Sequence, residues 1–236
     1  FEKKIANYLK VKYAVCVTSG TSALFLSLMA NGIGQGDEVI IPNFTFIATA
    51  NAVTLSGAKP IFADILPNNL TISVESLESF ITKKVKAIIS VDVNGRSCDY
   101  QKLYLICKKH NLKLITDSAE ALGSMSQKKY LGTYGDCGCF SFSAAKSIST
   151  GQGGMVVTNN KKIYSRLLEL KDQGRRFRGT GGNDIHPTLG FNFKFTDLQA
   201  SVGISQFDKL NKRIKNFHLR DKMYTRYLEG IKEIKI

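Results

Sequence analysis

Proline is scarce in this sequence, with 4 residues in 236, and tryptophan is absent. Acidic residues are few beside basic ones, 19 Asp+Glu against 33 Lys+Arg. No uninterrupted apolar run approaches the roughly 18–20 residues that a bilayer span needs, which excludes a transmembrane protein. The low proline count, beside 43% hydrophobic residues, 22% charged residues and 20 glycines, excludes collagen, low-complexity and disordered classes. What remains is an ordinary globular composition with enough apolar material for a sizeable core. The opening stretch FEKKIANYLK has neither an apolar core nor a small-residue cleavage site, so it does not read as a signal peptide. It also lacks an initiator methionine, which fits a fragment or a processed chain. The 5 cysteines are an odd count without an export signal, so reduced thiols in a cytoplasmic setting are expected rather than a disulfide framework. Cys137 and Cys139 have no second pair and no nearby histidine, and no metal is expected.

The shortage of acids leaves a formal net charge of +14. A basic surface suits polyanions such as nucleic acid, anionic lipid or phosphorylated metabolites. A lysine-rich solubilising surface accounts for it as well. The basic residues are scattered, thickening after Lys161 and again after Lys209. They show no RNP-type or recognition-helix spacing of the kind that base readout requires.

Strand and helix signals alternate along the chain. Glu2–Leu9 reads as a helix and 13–18 (YAVCVT) as a β-branched strand, before an apolar helix over 23–30. Strands are expected at 38–41, 60–63, 87–93, 113–116, 139–143 and 153–157. Helices are expected at 45–55, 74–81, 100–110 and 164–172. The stretch 174–190 is glycine-rich and charged and reads as a long loop; 208–236 reads as a charged amphipathic helix. Alternation of this kind predicts an α/β protein with a mostly parallel sheet, whose ligands gather beyond the carboxyl ends of the strands.

Four stretches at such positions carry chemistry. Ser19-Gly20-Thr21-Ser22 lies between a strand and a helix, where first-turn N–H groups, two hydroxyls and the helix dipole would cradle an anion. The same residues serve equally as a plain N-cap. Asp117 ends a strand and precedes Ser118-Ala119-Glu120. Its carboxylate would hold a cationic ring nitrogen, or would form a capping box with Glu120. Lys146 stands among small residues in FSFSAAK, ahead of the glycine-rich 151–154. An amine drawn out of water there is competent for Schiff-base chemistry, while a lysine is usually a surface residue. Gly190-Phe191-Asn192-Phe193-Lys194 leads into Thr196-Asp197-Leu198-Gln199 and by itself is a turn entering a capped helix.

Together these words resemble the sugar aminotransferases of the DegT–DnrJ–StrS family. The matching stretches are SGTSAL at 19–24, PNFTFIATANAV at 42–53, GAKPIFADI at 57–65 and DSAEALGS at 117–124. GDCGCFSFSAAKSISTGQGG at 135–154 and LGFNFKFTDLQAS at 189–201 extend the match over nearly the whole chain. Glu120 is similar to the branch that makes 4-amino-4,6-dideoxy sugars, the perosamine-like and viosamine-like synthases. Lys194 stands where an arginine is common, and VDVNGRSC at 91–98 replaces a histidine-containing word.

The resemblance implies a three-layer α/β sandwich with a mostly parallel central sheet, the large pyridoxal 5'-phosphate (PLP) domain of the fold-type-I transferases. That domain would cover 1–207, and 208–236 would lead toward a small C-terminal domain missing from this chain. It implies transamination of a nucleotide-diphosphate-linked 4-keto-6-deoxy sugar with glutamate as amino donor, and neither nucleic acid nor membrane as partner. Lys146 would be the Schiff-base lysine, Asp117 would pair with the pyridinium nitrogen, and Glu120 would sit by the phenolic oxygen. Phe46 would stack on the ring, and Gly20, Thr21, Ser22 and Ser141 would hold the phosphate. Asn192 would reach the phosphate of the other subunit's cofactor, so that a homodimer completes each site. A non-catalytic PLP-binding paralogue and a basic nucleic-acid-binding protein are the rival expectations.

Overall fold

Near-continuous apolar runs such as Val85–Val91 (VKAIISV) bury both faces of a strand and call for helices on either side. In chain order the elements are α1 (Glu2–Leu9), β1 (Tyr13–Val17), α2 (Gly20–Ala30), β2 (Glu38–Pro42), α3 (Ala48–Leu55), β3 (Lys59–Ala63), β4 (Val85–Val91), α4 (Tyr100–Lys109) and β5 (Lys113–Asp117). The short strands β6 (Met125–Ser126) and β7 (Lys129–Tyr130) follow, then β8 (Cys137–Ser141), β9 (Gly154–Thr158), α5 (Lys161–Lys171), α6 (Asp197–Phe207) and α7 (Leu210–Leu228). The structure, a computed structural model, describes residues 1–175 and 185–231.

Seven of the strands pair as one sheet in the order β1-β9-β8-β5-β4-β2-β3. Neighbours from β8 to β3 are parallel, and β9 runs against both β1 and β8. Successive residues point to opposite faces, as a strand requires. Ile41, Ile89 and Ile115 join Val15, Leu26, Val53 and Leu167 beneath α2, α3 and α5. Ile40, Ile88 and Leu114 join Leu77, Leu103 and Cys107 beneath α4. Phe140, Phe142 and Met155 pack under Ile5 and Leu9 of α1 and Leu210 of α7. The result is the expected three-layer α/β sandwich.

Several boundaries differ from the sequence expectation for local reasons. The helix expected over 74–81 is only a 3₁₀ turn at Leu77–Phe80. Ser76 and Ser79 donate their hydroxyls to the carbonyls of Ser73 and Ser76, competing with a helical ladder. The helix expected from residue 45 starts at Ala48, because the Asn43 N–H still pairs with the Ala63 carbonyl beyond the strands. Within the loop expected at 174–190, residues 176–184 lie outside the described residues, as do 232–236 of the helix expected at 208–236.

Candidate functional site

Parallel β1, β4, β5 and β8 end at one edge of the sheet, where the reversed β9 begins. Register brings the ends together: Val17 and Ser141 both sit opposite Gly154, Cys139 opposite Asp117, and Asp117 opposite Val91. The chain words containing Ser19, Asp117 and Lys146 therefore meet, although they are far apart in sequence.

The first arm of the site is the start of α2. Ser19 is its N-cap, with extended backbone, and its Oγ accepts the Ser22 N–H at 3.0 Å. The Ser22 hydroxyl is tied to the hydroxyls of Thr18 and Ser19 at 2.9 and 2.8 Å. The N–H groups of Gly20 and Thr21 precede the first full turn and have no intrahelical carbonyl to meet. They point the positive end of the helix dipole at the sheet edge. A Cβ on Gly20 would stand 3.0 Å from the Ser141 Cβ, so the SGTS and FSFS words are in contact. Gly154 lies closer still: a Cβ there would fall 2.1 Å from the Ser19 carbonyl oxygen and 2.7 Å from the Gly20 nitrogen. Gly154→Ala is expected to lower stability by about 1–3 kcal/mol, the usual range for overpacking against groups that cannot move aside. Urea unfolding measures it, and unchanged stability would contradict this close approach.

Asp117 forms the second arm and is buried at the end of β5. No helix follows it. The chain from Ser118 onward makes successive turns, with the Ala121 and Ser124 N–H groups bonding the Ser118 and Ala121 carbonyls. The capping-box alternative is thereby corrected. Asp117 Oδ1 accepts the Ala119 N–H at 3.2 Å, and Oδ2 accepts the Thr49 hydroxyl at 2.8 Å. Thr49 is fully buried on α3, and its hydroxyl also meets that of Thr45 at 2.8 Å. Nothing local in the sequence singled out Thr49; the only hint was its spacing of four from Thr45. Burial pushes the Asp117 carboxyl up, opposed by the bonds from Thr49 and Ala119 and by the Lys146 charge, and aided by Glu120.

The third arm is Lys146, in the loop between β8 and β9. The loop is closed at its base by Phe142 N–H to Gly153 O and Thr150 N–H to Phe142 O, at 2.8 and 2.9 Å. The Lys146 side chain is 23% exposed, so it is not the free surface lysine that its residue type usually is. Its Nζ donates to Glu120 Oε1 at 3.3 Å, while Glu120 Oε2 accepts the Asn94 N–H at 3.1 Å. Asn94 reaches that position through a left-handed backbone (φ 50°, ψ 30°).

Behind Asp117 lies a second buried carboxyl that sequence reading missed. Asp92 follows β4 directly, and its oxygens accept the Tyr100 and Ser118 hydroxyls, each at 2.6 Å. Burial pushes its carboxyl up to about 7, the two hydroxyls draw it down, and the Asp117 charge adds to the rise.

Two expected members stand apart. Phe46 is 77% exposed at the rim, before α3. Asn192 is exposed and bridges to Asp172, and among the described residues no hydrogen bond joins it to Ser141 or the SGTS turn. Phe191 and Phe193 stack on each other at 5.5 Å and pack edge-on against Phe25 of α2, at 5.0 and 6.2 Å. Lys194 pairs with Asp172 at 3.0 Å.

The arrangement offers an anion cradle, a buried carboxylate and an amine at a single edge. The sequence pattern of the DegT/DnrJ/EryC1/StrS aminotransferase family matches residues 1–236. The chain is 42% identical over 231 residues to a GDP-perosamine synthase of Vibrio cholerae, covering 98% of this chain and 62% of that protein. Helicobacter pylori PseC, an aminotransferase involved in the biosynthesis of pseudoaminic acid, matches with TM-score 0.91 and 33% identity, over 97% of this chain and 62% of that one. Spr1654 of Streptococcus pneumoniae, solved in a PLP form, matches with TM-score 0.90 and 29% identity, over 97% and 63%. The chain spans between 57% and 62% of the length of three GDP-perosamine synthases among its curated relatives. Aminotransferases of this family depend on PLP. The residues present fit that group: it carries an anionic phosphate, a basic ring nitrogen and a carbonyl, and each has a chemical counterpart here.

Proposed function

Since this chain belongs to the DegT/DnrJ/EryC1/StrS aminotransferase family, we propose that it carries the PLP-binding part of an enzyme that aminates a nucleotide-linked 4-keto-6-deoxy sugar, with glutamate as donor. The observation that carries the reading is the meeting of the Lys146 amine, the buried Asp117 carboxylate and the start of α2 at one sheet edge. The GDP-perosamine synthase among its relatives supports the sugar class. The formal net charge of +14 suits a diphosphate-bearing substrate.

When bound, PLP supplies an electron sink for the carbon that loses its proton. Lys146 Nζ would bind the cofactor and then move that proton, with Glu120 holding the amine in place. Asp117 would keep a proton on the ring nitrogen, and Thr49 would orient its carboxylate. The N–H groups of Gly20 and Thr21, with the hydroxyls of Thr21, Ser22 and Ser141, would bind the phosphate. Phe46 would cover the ring and exclude water. Residues 1–207 would form the cofactor domain, and α7 would lead away from it.

The reading also includes a homodimer in which Asn192 of each chain serves its partner's site. Mixed Lys146→Ala and Asn192→Asp subunits test this. If Asn192 acts across the interface, one site of the mixed dimer carries both lesions and the other neither, so activity partly returns. No recovery despite demonstrated subunit exchange would reject the cross-subunit role. For the reaction itself, mass spectrometry of a nucleotide-linked 4-keto-6-deoxy sugar incubated with the chain, PLP and glutamate should show the amino sugar. Preference for a 3-keto sugar would overturn the assigned carbon.

A further inference from the structure

A carboxyl group is costly to bury, and Asp92 is 1% exposed with no cation in salt-bridge contact among the described residues. The proposed chemistry gives it no direct task. Two of its bonds lead to the turn that carries Asp117. The Asp92 backbone N–H donates to the Asp117 carbonyl at 2.9 Å, fastening the ends of β4 and β5. Its Oδ2 accepts the hydroxyl of Ser118, itself fully buried, whose N–H donates to the Cys139 carbonyl at 2.9 Å. Ser118 is thus pinned from two strands, and it is the pivot between the Asp117 carboxylate and the Ala119 N–H that this carboxylate accepts. On the far side, Tyr100 donates to Asp92 Oδ1 and is itself fixed by a parallel stack on Tyr134, at 4.3 Å and 7°.

We propose that Asp92 is a positioning residue: acting through Ser118, it holds the 117–119 turn so that the Asp117 carboxylate keeps one orientation. This deepens the cofactor reading and rests on it, because a fixed Asp117 matters only if a ring nitrogen meets it. The two hydroxyl bonds of Asp92 have separate consequences. Ser118 connects it to the site, whereas Tyr100 connects it to the α4 side of the core.

The test uses the full chain with Ser118→Ala, Asp92→Ala and Tyr100→Phe, read first without cofactor by amide hydrogen exchange. Ser118→Ala and Asp92→Ala should speed exchange of the Ala119 amide by about tenfold, because its acceptor is no longer held, while Tyr100→Phe should leave it within about twofold once its global stability loss is subtracted. In PLP-loaded protein the first two variants should lower kcat by about tenfold with the donor KM unchanged, the mark of lost positioning rather than lost binding. An Ala119 amide that exchanges alike in Ser118→Ala and unsubstituted protein overturns the positioning role, whatever PLP does. Equal acceleration by Tyr100→Phe after correction also overturns it, by making Asp92 a general core anchor. A chain that takes up no PLP overturns the cofactor reading instead, and the exchange result still decides the role of Asp92 in holding the turn.

Discussion

Lys146→Ala is expected to abolish turnover, with a loss of more than about a thousandfold, because a single amine would supply both the covalent link and the proton transfer. PLP should still bind weakly through the phosphate arm at Gly20, Thr21, Ser22 and Ser141, without the visible band of the covalently bound form. Folding should be little changed. The Lys146–Glu120 pair is partly exposed, so its loss is worth at most about 1 kcal/mol, and Glu120 retains the Asn94 N–H. Steady-state kinetics, the absorption spectrum and urea unfolding separate these effects. A variant with near-normal turnover would return Lys146 to the class of ordinary surface lysines.

Asp117→Asn is expected to slow transamination by roughly a hundredfold to ten-thousandfold, since a neutral amide cannot hold the proton on a ring nitrogen as a carboxylate does. The fold should tolerate the change. The asparagine oxygen can still accept the Ala119 N–H, and the Thr49 hydroxyl can turn to accept from the new amide. Removing a carboxylate that burial already opposes leaves stability unchanged or slightly raised. Activity and stability therefore part company, which is the distinguishing mark. A residue kept merely to stabilise its turn would give the reverse, a silent effect on rate, because asparagine caps backbone N–H groups about as well as aspartate.

What the sequence reveals and what it hides follow from the range of the interactions. Strands such as β4 and the opening of α2 at Ser19 were legible because their signals are local: a continuous apolar run in one case, a capping hydroxyl in the other. Lys146 was legible as an amine among small residues. Thr49 was not, because its partner Asp117 lies 68 residues away and only the parallel sheet brings them together. The Asp92–Ser118 bond spans 26 residues and was hidden for the same reason. Where local chemistry misled, hydroxyls and side-chain packing were responsible. Ser76 and Ser79 satisfied carbonyls that a helix would have used, and Asp117 formed a two-residue turn where a capping box was equally open. Phe191 and Phe193, on either side of Asn192, pack edge-on against Phe25 of the same chain, a contact that no spacing rule announces.

The most direct measurement is borohydride reduction of the PLP-loaded chain followed by peptide mapping. Reduction fixes the pyridoxyl group to whichever amine holds the cofactor, independently of substrate, donor or any partner. The account predicts the group on the peptide containing Lys146, in the FSFSAAK stretch, at close to one per chain. Finding it on a different lysine, or spread over several at low yield, would contradict the site on which the proposed chemistry depends.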